Sequence, residues 1–175
     1  PFCAEALVKQ MKDNLDVDER CVAALSVLQQ CSIMCPMSIM QHAVEISRFV
    51  VEDLASASVA TSTRGKTSKA AKSSAGSSGQ WLAQAKVIGI KLLGILSCCV
   101  KDKPSIAKSA MQFCRDINNA DGRIGDAENT DEFKAESRLE CGKAFLRIAA
   151  CPDISSPVMY ADVHLVSGLI EDVEG

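Results

Sequence analysis

Trp81-Leu-Ala-Gln-Ala-Lys86-Val-Ile-Gly-Ile-Lys91-Leu-Leu-Gly-Ile-Leu-Ser-Cys-Cys-Val100 decides the fold. Past Val87 this stretch is apolar on nearly every side of a helix, which marks a helix covered from several directions at once. Its interior glycines, Gly89 and Gly94, would each cost about 1 kcal/mol in an exposed helix. Close contact with neighbouring helices is the expected reason for them. The longest apolar stretch inside it, Leu92 to Val100, is far short of the ~20 residues a membrane span needs, so no membrane segment is expected.

Working outward, apolar spacing and end signals predict seven helices. The first covers about Ala4 to Lys12. The second follows Asp16, with Glu19 completing a capping box, and carries Cys21, Ala24, Leu25, Leu28 and Cys31 on one face. The third follows Pro36 and presents Ile39, Met40, Ala43, Ile46, Val50 and Leu54. The fourth is the central stretch, from Trp81. The fifth opens at Pro104, a favoured first helical position, and runs to Ile117. The sixth spans Asp131 to Ala150 with Thr130 as its cap. The seventh spans Pro157 to Asp172, capped by Ser156.

A chain of 175 residues fits one domain, here 1–175, and can bury roughly two-thirds of its unfolded surface. Apolar residues make up 47% and aromatics only 4%, so the core must be built from Leu, Ile, Val, Ala, Met and Cys, a mixture that favours helix-on-helix packing. A net charge of −3 gives no global bias toward nucleic acid or anionic membrane, and leaves open DNA contact through a local basic patch. The odd count of nine cysteines at core-like positions reads as reduced, buried thiols in a cytosolic or nuclear protein. Both ends read as cut from a longer protein.

Two connections interrupt the helices. Residues 57–80 are Ser, Ala, Thr, Gly and Lys without a single acid, and are expected to be a disordered insertion. Within it Thr63, Arg64, Lys66, Thr67, Ser68 and Lys69 form either a solubilising loop or a regulatory site, where phosphates on the hydroxyls would reverse the local charge. Residues 118–130 form a second, acidic loop.

Catalytic and metal chemistry find little support. The two histidines, His42 and His164, have no partners at metal-ligand spacing. Cys31 and Cys35 are one turn apart, but a closed zinc site wants four ligands. Gly65-Lys-Thr67 lacks the glycine, strand and helix of a phosphate loop. No cofactor and no enzyme activity is expected. Residues 117–128 carry several EF-hand positions (Asn119, Asp121, Gly122, Ile124, Glu128), yet Ile117 stands where the first Asp should anchor calcium. A flexible acidic loop is preferred.

Short helices without strands suggest either a bundle or an α-solenoid, and pairs at a period near 40 residues mark HEAT-type repeats. Periodicity alone leaves the two equal. Three stretches, in order, resemble the cohesin-regulatory HEAT-repeat family named for precocious dissociation of sisters. They are Phe49-Val-Val-Glu-Asp-Leu54, Lys86-Val-Ile-Gly-Ile-Lys91 and Arg138-Leu-Glu-Cys-Gly-Lys-Ala-Phe-Leu-Arg-Ile-Ala149, with Leu169-Ile-Glu-Asp172 similar to its repeat ending. Gly89 stands where the family has Ala, and Glu140 where it has a small apolar residue.

The resemblance implies an all-α, HEAT-type solenoid fragment that acts as a non-enzymatic scaffold in the nucleus, associated with chromosomes. It implies binding to the kleisin subunit of the cohesin ring and, with a Wapl-type release factor, control of cohesin's release from chromatin. Lys86 and Lys91 match family positions. They are candidate protein-binding residues together with Arg138 and Arg147, against the competing reading of a solvated helix face. Arg138 and Arg147 are read as pointing the same way within about a quarter turn. Two rival readings remain. One is another HEAT or armadillo scaffold in transport or chromosome condensation, the other a calcium-responsive helical protein using the 117–128 loop.

Overall fold

The structure, a computed structural model, describes residues 2–13, 17–57, 75–100, 102–118 and 130–151. Among these, every regular element is helical. The helices are α1 (Phe2–Asp13), α2 (Glu19–Met34), α3 (Pro36–Met40), α4 (Ala43–Arg48), α5 (Ala75–Cys99), α6 (Pro104–Asn118) and α7 (Asp131–Ala149), with a π-helical turn, Phe49–Leu54, continuing α4.

The helix ends follow side-chain chemistry. Asp18 caps α2, its carboxylate accepting from the N–H groups of Arg20 and Cys21 at 3.0 Å each. The expected cap at Asp16 is therefore displaced by two residues, and Cys21 rather than Glu19 supplies the third-position N–H. At α7 the Thr130 hydroxyl accepts from the Phe133 N–H at 3.2 Å, as its sequence predicts. The expected seventh helix, the whole of 58–74 and residues 119–129 lie outside the described residues. α5 begins at Ala75, so the last residues assigned by composition to the 57–80 insertion are helical.

The single helix predicted after Pro36 is three pieces. α3 is five residues long; the chain turns at Gln41 and His42, α4 follows, and α4 then widens into the π turn. The apolar positions Ile39, Ala43, Ile46, Val50 and Leu54 all remain fully buried. Spacings of three and four therefore survive both breaks, which is why the sequence reads as one continuous helix.

α5 is the core of the molecule. It packs against α2, α6, α7 and the π turn, with Ile90, Leu92 and Leu93 entirely removed from solvent. α1 pairs with α2, the α3–α4 segment and its π turn with α5, and α6 with α7, while α2–α5 and α5–α7 contacts join successive pairs. Helix pairs stacked in this way are the architecture of a HEAT-type solenoid fragment.

Both glycines of α5 mark close approaches. A Cβ at Gly89 would lie 2.8 Å from Cγ1 of Val50 in the π turn, and one at Gly94 would lie 2.9 Å from the Ala144 Cβ and 3.0 Å from its Cα on α7. The departure from alanine at Gly89 thus has a steric cause. By length and hydropathy Gly79–Cys99 would also suffice to cross a membrane, a longer span than the apolar run in the sequence suggests, but 67% of its most apolar stretch is buried against the other helices. That burial is what a core helix shows.

Candidate protein-interaction surface

Four charged residues were singled out by sequence, and the structure separates them. Lys86 is buried on α5, at 9% exposure. Lys91, five residues on, donates from Nζ to Oε1 of Glu136 at 3.2 Å, tying α5 to α7. Arg147 lies against α5, where its Nη1 is 3.6 Å from the position of a Cβ on Gly94. Arg138 is exposed. Nine residues make two and a half helical turns, so Arg138 and Arg147 stand on opposite sides of α7, and the expectation of a shared direction fails. Three of the four are thus turned into the helix stack and one toward solvent. The loop residues Thr63, Arg64, Lys66, Thr67, Ser68 and Lys69 lie outside the described residues.

Glu140, the second departure from the family pattern, is buried and accepts from Lys143 Nζ at 2.7 Å. A carboxylate at this depth needs a partner, and a lysine three residues on, one turn along the same helix, supplies it.

The described cysteines are free thiols, with Cys21, Cys114 and Cys141 buried. Burial, and then the nearby Asp18 carboxylate, push the Cys21 thiol up to about 11. Cys98 is pushed up to about 12, first by burial and then by its hydrogen bond with Cys151. It also donates to the Arg147 carbonyl at 3.3 Å, a second tie between α5 and α7. Cys114 rises well above its ordinary value through its hydrogen bond with Cys141 and through burial. Thiolate is the nucleophilic and metal-binding form, so these groups are held in their unreactive state. Among the described residues no three His, Cys, Asp or Glu side chains are placed to hold a metal ion. Ile117, first residue of the calcium-loop candidate, lies in the last turn of α6 and packs on the core; 119–128 lie outside the described residues.

One surface escaped the sequence reading. At the corner between α2 and α3, Ile33, Met34 and Met37 are 53%, 76% and 79% exposed, beside the exposed Cys35. Val27, seven residues before Met34 and so on the same face, is also exposed. The signal was available: Val27 and Met34 fall opposite the Leu25 and Leu28 face of α2 in a 3.6-residue period. Contiguous exposed apolar groups of this kind mark interaction sites, and methionine adapts its shape to a partner.

Stacked helix pairs around one buried helix, with charged side chains tying helix to helix and an apolar corner left open, define a HEAT-type helical scaffold. The family model of the sister chromatid cohesion protein PDS5 matches residues 2–175, and the chain belongs to that family. No protein of curated function matches it. No solved structure matches it either. Membership implies a role in sister chromatid cohesion and cell division, as a cohesin-regulatory scaffold of the chromosome, rather than in transport or chromosome condensation.

Proposed function

We propose that this chain is a scaffold that binds the kleisin subunit of cohesin and a Wapl-type release factor, and that the α2–α3 corner is where an extended kleisin segment docks. The observation that carries this reading is the cluster of Ile33, Met34 and Met37, exposed while most other large apolar side chains of the described residues are buried. A stacked-helix scaffold offers a long surface along which an extended peptide can lie, with apolar side chains as its anchors. No charged residue lies between Val27 and Met37, which leaves apolar contact as the main source of affinity at this corner.

Fluorescence anisotropy of a labelled kleisin central segment, titrated with the chain and compared with a scrambled segment, tests the reading. Saturable binding of the native segment alone is expected. Met34→Asp combined with Met37→Asp should weaken it by about tenfold or more, equivalent to roughly 1.4 kcal/mol. A helical, folded chain that fails to bind the native segment would overturn the kleisin reading. Binding that ignores the double substitution would move the contact away from this corner.

A further inference from the structure

α5 and α7 run side by side in the same direction, tied at three levels. Lys91 meets Glu136, Gly94 abuts Ala144, and the Cys98 Sγ lies 3.3 Å from the Arg147 carbonyl. At the C-terminal end of this seam the fold gathers thiols. Cys98 and Cys99 are the last two residues of α5. Cys151 follows the end of α7, its N–H donating to the Ile148 carbonyl at 3.1 Å. It comes four residues after Arg147, about one helical turn, which brings it to the place where Cys98 already rests. Cys98 and Cys151 share a hydrogen bond, and Cys99 is close enough to feel both electrostatically.

A second thiol pair also ends on α7, where Cys114 of α6 hydrogen-bonds with Cys141. The two pairs differ in access. Cys114 and Cys141 are buried, whereas Cys98, Cys99 and Cys151 keep contact with solvent. A cation completes the accessible cluster. Burial and then Cys151 raise the Cys98 thiol, and the Arg147 guanidinium opposes them. The Arg147 Nη1 is buried without a hydrogen-bond partner among the described residues, a donor available to negative charge formed beside it. A cation next to a thiol is the setting in which cysteines react.

We infer that Cys98 and Cys151 form a reversible disulfide under hydrogen peroxide, a redox clamp between α5 and the end of α7, with Arg147 stabilising the anions formed on the way. The Cys151 thiolate attacks one peroxide oxygen. The O–O bond breaks, the leaving hydroxide takes up the proton the thiol released, and Cys151 becomes a sulfenic acid. The Cys98 thiolate then attacks the Cys151 sulfur. The S–S bond forms, the S–O bond breaks, and the second hydroxide takes up the Cys98 proton. Two thiols and one peroxide thus give one disulfide and two waters. Burial keeps Cys98 protonated until that second step, which assigns the first attack to Cys151. The bond closes the seam that Lys91 and Glu136 begin and stiffens one joint of the helix stack, a transient switch of the kind reducing compartments allow. The inference is independent of what the α2–α3 corner binds.

Peroxide treatment of the full chain tests it, at a protein concentration low enough that the exposed Cys35 does not join two copies. After quenching, denaturation and alkylation, peptide mapping should find Cys98 linked to Cys151 and both Cys114 and Cys141 alkylated, and dithiothreitol should reverse the link. The oxidised chain should melt several degrees above the reduced one, because closing a long loop constrains the unfolded state. Cys98→Ser should abolish the link and leave Cys151 as a sulfenic acid that dimedone traps, with circular dichroism confirming the fold. Arg147→Gln should slow the link several-fold, and an unchanged rate would overturn the part given to Arg147. Cys98 and Cys151 both alkylated after peroxide, in a chain shown to be folded, would overturn the inference. So would Cys151 joined chiefly to Cys99, a Cys114–Cys141 link forming as fast, or an oxidised chain that melts no higher than the reduced one.

Discussion

α5 and the α2–α3 corner draw on the same apolar residue types and put them to opposite ends. In α5, Leu92, Leu93 and Leu96 are sealed from solvent on all sides, and two glycines bring neighbouring helices to contact distance. At the corner, Ile33, Met34 and Met37 stand in water. The difference lies in what surrounds each: α5 has five packing partners among the described elements, while the corner is a turn at which Cys35 leaves helical geometry and Pro36 starts a new helix. Stability is concentrated where neighbours are many, and the proposed docking corner is built from side chains that stay in contact with water.

That contrast can be broken by substitution. The largest effect is expected for Leu93→Ala, which should cost about 2–5 kcal/mol by lost burial and the cavity left behind, measured as a lowered midpoint of urea unfolding. Gly94→Ala should follow. Its methyl would press on the backbone of Ala144, which cannot swing aside, and overpacking of this kind costs about 1–3 kcal/mol, outweighing the gain in helix propensity of about 1 kcal/mol or less. Gly89→Ala should cost less, because the obstructing atom there is a side-chain methyl of Val50.

A smaller effect is expected from alkaline pH. Thiols of Cys21 and Cys98 sit at about 11 and about 12 in the fold against an ordinary 9.0. Between those values the folded chain keeps protons that the unfolded chain has released, so stability is fully present below about pH 9 and falls as pH rises toward 11. Melting temperatures at pH 7.5 and pH 10 should show the decline, and Cys21→Ala should reduce its slope. The smallest effect belongs to the corner: Met34→Asp should shift the unfolding free energy by no more than about 0.5 kcal/mol. A loss as large as that of Gly94→Ala would mean that the corner is part of the core after all, and the comparison would collapse.

The sequence disclosed the core more fully than the surface, for a physical reason. Burial imposes periodicity, so the wrapped helix from Trp81, the tight glycines, the Thr130 cap and the inward face of α2 could be read directly. The breaks at Gln41 and Phe49 left no trace, because Ile39, Ala43, Ile46, Val50 and Leu54 keep helical spacing across them. Asp16 and Asp18 both precede Glu19, and local pattern alone favoured the capping box over the carboxylate that caps α2. The candidate site was harder still. Lys86, Lys91, Arg138 and Arg147 are all long cations on helices, and whether each faces a neighbour or water depends on packing between helices, which no single helix encodes. Misjudging the angle between Arg138 and Arg147 hid the fact that one is internal and the other external. The Met34 corner was legible in α2's period but passed over, since attention to the buried face left the opposite one unread.

The π turn at Phe49–Leu54 acts as a phase shifter within a continuous rod. Before it, α4 lies against α6, and from it Val50 and Leu54 reach α5. The rod of α4 and its π turn thereby packs on both α5 and α6. A π turn holds i→i+5 hydrogen bonds, in effect one residue more than the regular ladder, so the chain carries an insertion in the middle of a helix as a working part. For this reason the segment has a length constraint of its own: losing one residue there would leave every side chain chemically intact and aim half of them the wrong way.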